Sequence, residues 1–326
     1  MKQVAILVPE NSVMQAIADP QYCFNAVNQF LVFSGKKPLF NVELVGLKKE
    51  IFINDGKFSV HTDKLLKEIK KTDLLIIPAL FGDMQEAIKS NKKSLTWIVE
   101  QYNNGAEVAS LCVGAFLLAS TGLLNGKKCS THWRFQNEFR EMFPMVDVQD
   151  GRIITVEDRI YSSGGANSYW NLLLYLVEKY TDRETAILTS KYFAIDIDRE
   201  SQSAFAMFQG QKNHTDNAIK KAQDYIEQNI NKKISVEDLA YSVSIGKRSL
   251  ERRFKLATNN TVLEYVQRVK IESAKLSLEN NRKSMSEVMY DVGYNDTKSF
   301  RSTFKKITGL TPVNYRNKYN KMSKSD

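Results

Sequence analysis

Between Ile234 and Tyr319 the sequence repeats itself at a spacing of 49 to 50 residues, and this constrains the fold more than any other feature. Ser235, Asp238, Leu239 and Val243 recur 49 residues later as Ser284, Glu287, Val288 and Val292. One residue is then inserted, and at an offset of 50 Leu250, Phe254, Lys255, Thr258, Thr261 and Tyr265 recur as Phe300, Phe304, Lys305, Thr308, Thr311 and Tyr315. A pattern F-K-x-x-T-x-x-T-x-x-x-Y present twice means two copies of one small folding unit.

Each copy reads as two short helices joined by a tight turn. Ser235 and Ser284 stand three residues before an acid, Asp238 and Glu287, which predicts a capping box at both first helices. Val236, Leu239, Ala240 and Val243, and likewise Met285, Val288, Met289 and Val292, follow the i, i+3, i+4, i+7 spacing of one buried face. Gly293 suits the second turn and Asn295-Asp296 can cap the helix after it; Ser244 and Gly246 stand in similar places in the first copy. The second helices bury Leu250, Phe254 and Ala257, and Phe300, Phe304 and Ile307. Their outer faces are basic: Lys247, Arg248, Arg252, Arg253 and Lys255 in one, Lys298, Arg301, Lys305 and Lys306 in the other. This is the helix-turn-helix layout, whose second helix fits the major groove of DNA. The units span about 235–258 and 284–308, and two in one chain predict a tandem reader of double-stranded promoter DNA.

The segment resembles the DNA-binding domain of the AraC/XylS family in S-V-E-D-L-A (235–240), L-E-R-R-F-K (250–255) and D-V-G-Y-N-D-T-K-S-F-R-S-T-F-K-K-I-T-G-L-T-P-V-N-Y-R (291–316). It departs from that family at Met289, where a small Ala is usual, and at Lys270, where Arg is usual in the connecting helix. Second helices present their N-terminal residues to base edges, so the expected base readers are Lys247, Arg248 and Arg252 in the first unit and Thr297, Lys298 and Arg301 in the second. Arg252 and Arg301 are taken as comparable outward positions, each suited to a bidentate contact with guanine. Lys255 and Lys305 lie further along, toward phosphate. A rigid helix from about Val262 to Leu278 would hold the subsite centres about 10 base pairs apart.

Charge is placed accordingly. Residues 211–326 hold 23 Lys and Arg against 13 Asp and Glu, a net of +10, whereas residues 1–210 hold 23 against 24, a net of −1. The basic excess thus belongs to the part expected to meet phosphates. The three cysteines, Cys23, Cys112 and Cys129, and three histidines show neither disulfide nor metal-ligand spacing, so no metal or cofactor is expected. The apolar run at the N-terminus is too short for a signal peptide, and no run approaches the ~18 apolar residues of a membrane span. A cytoplasmic protein without a membrane partner is expected.

Ahead of the repeat, continuous apolar runs at Val4–Val8, Val42–Val45, Leu74–Ile77 and Val108–Leu111 predict strands buried on both faces, with helices at about 20–33, 63–70 and 94–102 between them. This alternation implies a doubly wound, flavodoxin-like α/β domain over 1–189, ahead of an all-α tandem helix-turn-helix domain over 215–326. A helix at Ala115–Thr121 closed by Gly122, a strand pair around the Asp150-Gly151 turn, and an apolar helix from about Ser168 to Tyr180 complete the first domain. Residues 190–214, without sustained periodicity, read as the linker, although Phe205, Met207 and Phe208 predict local packing.

At Leu111-Cys112-Val113-Gly114-Ala115 a buried strand ends in a cysteine and a helix begins at once, a nucleophile elbow in which the helix N-terminus favours thiolate. The context resembles the PfpI-like, class I glutamine amidotransferase-like superfamily, and more closely the GlxA-type regulators, which join such a domain to an AraC-type reader. The resemblance rests on residues 112–133, on S-S-G-G-A-N (162–167) and on D-R-E-S-Q (198–202). In peptidase-like members the residue after the cysteine is a catalytic histidine; here it is Val113. Glu10, the nearest candidate for the acid that reaches the cysteine in other members, does not fall in that position. A nucleophile without a positioned base is a weak catalyst, so no catalytic residue and no enzyme activity are expected. Three readings of Cys112 stay open: a pocket-lining residue, a reactive sensing thiol, and the nucleophile of an enzyme tethered to DNA. His132 is either a structural neighbour of Trp133 or a ligand contact, and Asn167 and Ser168 either meet a ligand or cap their helix. Cys112, Val113, His132, Gly165 and Asn167 are the candidate ligand-site residues. The expected whole is a transcriptional regulator sensing an unidentified small molecule, a homodimer by family resemblance, with RNA polymerase as a further partner if it activates.

Overall fold

The computed structural model describes residues 1–197, 201–212 and 214–320. They form two compact units that meet in sequence between Gln202 and Ser203.

The first unit is built on a seven-stranded sheet. Its strands are β1 (Lys2–Leu7), β2 (Phe40–Gly46), β5 (Lys64–Leu65), β6 (Leu74–Ile77), β7 (Glu107–Ser110), β10 (Ile154–Glu157) and β11 (Ile160–Ser163), in the order β10-β11-β7-β6-β1-β2-β5. Only β10 runs antiparallel to its neighbour, at an edge. Two small pairs lie outside it, β3 (Glu50–Ile53) with β4 (Phe58–His61) and β8 (Lys128–Cys129) with β9 (Asp147–Val148). The helices are α1 (Met14–Phe33), α2 (Met84–Ser90), α3 (Lys92–Asn103), α4 (Ala115–Ala119), α5 (Gln136–Met142), α6 (Tyr169–Tyr180) and α7 (Arg183–Tyr192). Every residue of β6 is buried, as are Val4 to Val8, so these two runs are strands covered on both faces, whereas Val42 to Leu44 of β2 are only half-buried. This is the doubly wound, flavodoxin-like arrangement expected.

Three local expectations need correction. The first helix begins at Met14, six residues before Pro20, which sits buried inside it; a proline ring tolerated within a helix is invisible to a rule that uses proline as a start signal. Residues 63–70 are not a helix. Lys64 and Leu65 pair with β2, and only Leu66–Glu68 makes a single 3₁₀ turn, tied by Leu65 N–H donating to Glu68 at 2.6 Å. Around Asp150-Gly151 there is no hairpin, because β9 pairs in parallel with β8 while β10 pairs with β11 across a turn at Asp158. Finally, the stretch 190–214 divides between the units: α7 runs through Tyr192 and Gln202 is buried in the first unit, while Phe208 packs into a core of the second, which is the local packing its apolar residues predict.

The second unit is helical: α8 (Asn217–Gln228), α9 (Val236–Ser242), α10 (Lys247–Thr258), α11 (Val262–Asn280), α12 (Met285–Asp291), α13 (Thr297–Thr308) and α14 (Pro312–Tyr319). It has two hydrophobic clusters, one per repeat. Leu239, Leu250, Phe254 and Tyr265 belong to the first and Val288, Phe300, Phe304 and Tyr315 to the second. Helix α11 serves both. Met289, the bulky departure, is buried in the second cluster.

Candidate DNA interface and ligand site

Helices α10 and α13 are the second helices of the two helix-turn-helix units. The chain reaches α10 through Ser244, at φ +54°, and α13 through Gly293, at φ +69°, so both turns pass through the left-handed region. Each helix buries one stripe, Leu250 and Phe254 or Phe300 and Phe304, and leaves its opposite face in solvent. All eight expected DNA-contacting residues, Lys247, Arg248, Arg252, Lys255, Thr297, Lys298, Arg301 and Lys305, are exposed. Arg248 and Arg252 line one surface depression together with Ser249 and Glu251.

Three details differ from expectation. Arg253 does not belong to the basic outer face: its guanidinium grips Asp216, the N-cap of α8, through two bonds of 2.8 and 2.6 Å. Arg252 and Arg301 are not equivalent. With Leu250 matched to Phe300, Arg301 corresponds to Glu251 and Arg252 to Ser302, one residue or about 100° of helix rotation apart. Lys247 and Lys255 are also partly engaged: Lys247 bonds Glu237 at 2.5 Å, and Lys255 folds back on the Asn259 carbonyl at 2.8 Å. DNA phosphates would have to compete with these partners.

In the first unit, Cys112 follows β7 after Leu111, at φ +54°, and starts a 3₁₀ turn, Cys112–Gly114, that leads into α4. The elbow is therefore real. Gly114 is obligatory there, because a Cβ would stand 2.5 Å from the Pro78 carbonyl. Backbone groups of Cys112 are held by neighbours: its N–H donates to Ser163 Oγ at 3.3 Å and its carbonyl accepts from Thr131 Oγ1 at 3.2 Å. Gln202 closes the cluster, donating to the Thr131 carbonyl at 2.9 Å and accepting from Trp133 N–H at 3.2 Å. Gly164 and Gly165 make room for it, since a Cβ on Gly164 would meet Gln202 Nε2 at 2.1 Å.

Burial works against the thiolate that the elbow geometry favours. Burial pushes the Cys112 thiol up to about 12, and the Val113 backbone hydrogen bond opposes this only in part. Desolvation wins because the helix behind the elbow is short and the thiol is only 5% exposed. His132 is no base for it: its Nδ1 accepts from Arg134 N–H at 3.2 Å, its ring packs on Trp133 and Phe135, and burial first, then Arg134, lowers its pKa. The Glu10 carboxylate is bonded to Lys48 at 2.7 Å. Asp19 of α1 accepts from Tyr169 Oη at 2.7 Å and Trp170 Nε1 at 2.9 Å, and Tyr169 in turn lies within electrostatic reach of Cys112.

With both geometries described, comparison with known proteins is decisive. The DJ-1/PfpI family matches residues 26–179, and a helix-turn-helix domain matches residues 239–318. The chain therefore joins a DJ-1/PfpI-family domain to an AraC-type helix-turn-helix domain. It is 22% identical over 317 residues to the HTH-type transcriptional regulator GbdR of Pseudomonas aeruginosa, covering 97% of this chain and 84% of that protein. To the HTH-type transcriptional regulator ArgR of Pseudomonas aeruginosa it is 26% identical over 215 residues, 66% of this chain and 65% of that protein, which is just under two thirds of its length. A crystal structure from Vibrio parahaemolyticus, described as that of a transcriptional regulator, shares the fold with a TM-score of 0.52 at 24% identity, over 59% of this chain and 98% of that one.

Within the DJ-1/PfpI-family domain the elbow network joins Cys112, Thr131 next to His132, and the glycine pair with Gln202. Val113 is buried beside the cysteine, while Asn167 is exposed on the following turn. Ser168 caps α6 by position but makes no side-chain capping bond. Sequence reasoning missed Thr131, Ser163 and Tyr169 as neighbours of the elbow, and Asp19 as the acid that holds Tyr169. Gln202 was within the stretch 198–202 that carried the resemblance, of which residues 198–200 lie outside the described residues. The only available signal was chemical: Asp19 is an acid on a largely apolar helix, and two adjacent glycines imply a side chain packed on them.

Proposed function

We propose that this regulator binds promoter DNA through both reader helices and that its DJ-1/PfpI-family domain receives a small polar ligand at the Cys112 elbow without turning it over. DNA reading is carried by one observation: two helices of the same repeat, each rooted in its own core, both present a basic N-terminal half to solvent. The absence of turnover is supported by a thiol that stays protonated near neutral pH with no base bonded to it among the described residues. The same burial disfavours a redox-sensing thiol, because oxidation proceeds through an accessible thiolate. The regulator acts in the cytoplasm as a homodimer; Val32 and Phe33 at the exposed end of α1, with Tyr22 and Tyr192, offer apolar surface for a second copy.

The test uses duplexes that the full chain selects from random-sequence DNA, followed by a metabolite screen for ligands that shift the affinity. Cys112→Ala should alter the ligand response and leave unliganded DNA affinity unchanged. Amidase, peptidase or glyoxalase turnover lost in Cys112→Ala would overturn the non-catalytic reading. Iodoacetamide at about pH 8 should leave Cys112 unmodified in the folded protein; rapid labelling would restore the reactive-thiol reading.

A further inference from the structure

Between the two reader units stands a buried cation. Helix α11 gives Val262, Tyr265 and Val266 to the first core and Ile271, Ala274 and Leu278 to the second, and the two clusters share no residue. Lys270 lies at the changeover, only 6% exposed. Its ammonium donates to the Lys232 carbonyl at 3.0 Å and to the Gly293 carbonyl at 3.4 Å, and it stands 5.6 Å from the centre of the Tyr294 ring. Lys232 is in the loop that leads into the first helix-turn-helix, whereas Gly293 is the turn of the second. One side chain thus holds an element of each reader.

The backbones are also in close approach here. A Cβ on Gly293 would stand 2.6 Å from the Asn231 carbonyl oxygen and 2.7 Å from Lys270 Nζ, so the second turn is pressed onto the loop before the first reader. A buried ammonium held by carbonyls rather than a carboxylate is costly to maintain, and burial lowers its pKa. A leucine or methionine would fill the space without that cost. What the ammonium adds is direction: two carbonyls from two different units must both point at it.

We propose that Lys270 is a positioning residue for DNA recognition, fixing the angle between the two readers and hence the subsite spacing that one chain can bind. The proposal rests on the two-subsite reading above. It distinguishes residues that meet DNA from one that sets where they meet it. Two linked readers gain affinity over one only when their geometry matches both subsites at once.

The experiment uses the full chain and a duplex selected from random-sequence DNA. That duplex is compared with versions having one subsite scrambled or base pairs inserted between the subsites. The wild type should lose affinity on scrambling and on insertion. Lys270→Met should match the wild type on the one-subsite duplex, bind the intact duplex about tenfold or more weakly, and become insensitive to insertion. Lys270→Arg, which keeps donors for both carbonyls, should restore the spacing preference. If Lys270→Met does not fold, as judged by its helical circular dichroism, Lys270→Gln takes the same measurements. The proposal is overturned if the variant keeps the wild-type spacing preference, or if one-subsite and two-subsite binding fall by the same factor. Should scrambling one subsite leave wild-type affinity unchanged, the two-subsite reading itself fails, and this outcome is separate from any result on Lys270.

Discussion

The two reader units share an interior and differ at the surface. Thr258 and Thr308 both bond back to the phenylalanine carbonyl four residues earlier at 2.8 Å. Tyr265 and Tyr315 are both buried with the hydroxyl on a carboxylate, Glu227 at 2.8 Å and Glu279 at 2.5 Å. Both second helices end in a left-handed residue, Asn259 at φ +54° and Gly309 at φ +76°. The outer faces, by contrast, have diverged: where one carries Glu251 and Arg252 the other carries Arg301 and Ser302. Interior positions answer to packing, which is the same in both copies, and outer positions answer to whatever DNA each copy meets. Duplication therefore preserves a scaffold while freeing two sequence preferences.

Comparing matched substitutions would break or sharpen this account. Phe254→Ala and Phe304→Ala remove fully buried rings from corresponding sites, so each should lower unfolding free energy by about 3–5 kcal/mol in denaturant titrations. A large inequality would mean that the two interiors are not the same scaffold. Arg252→Ala and Arg301→Ala should each relax preference in a different subsite by about 1–3 kcal/mol, at base positions that do not correspond between the subsites. A uniform loss over all sequences for either variant would assign that helix to phosphate gripping. Removing the helix caps should cost about 0.5–2 kcal/mol, with Ser284→Ala costing more than Ser235→Ala in thermal melts. The difference arises because the full capping box forms only at Ser284, whose N–H is held by Glu287 at 2.6 Å. At Ser235 the shorter Asp238 side chain accepts the serine hydroxyl instead. Smallest of all, Ser244→Gly should raise stability by at most about 1 kcal/mol, since it relieves a left-handed serine where the second unit already has glycine.

How much of this was legible in the sequence depended on the range of the interaction. Caps, turns and apolar stripes act within about one helix turn, so the boundaries of the reader helices followed from Ser235, Ser284, Gly293 and the spacing of Leu250 and Phe254. The β3–β4 hairpin was equally local, with Asn54, Asp55 and Gly56 all at positive φ, yet it was not anticipated. The parallel strands were readable because burial on both faces leaves an unbroken apolar run. Strand partnership was not: β10 takes β11 rather than β9, and residues 64 and 65 join a sheet edge, both decided by elements far away in the chain. The elbow illustrates the same limit. Its backbone geometry was evident from Cys112 to Ala115, but the protonation state depends on how deeply the thiol is buried, and the bonds that hold its backbone come from Ser163 and Thr131 in distant segments. Arg253 likewise looked like one more surface cation until Asp216 was placed beside it.

The central claim is that two basic helix faces meet DNA, and the most direct measurement is the equilibrium affinity of the full chain for its selected duplex across a salt series. Binding by several Lys and Arg side chains releases counterions, so log K should fall linearly with log salt concentration, with a slope of about −0.9 for each phosphate neutralised and several phosphates engaged. An affinity that does not change with salt, or no measurable binding to any duplex, would contradict the account.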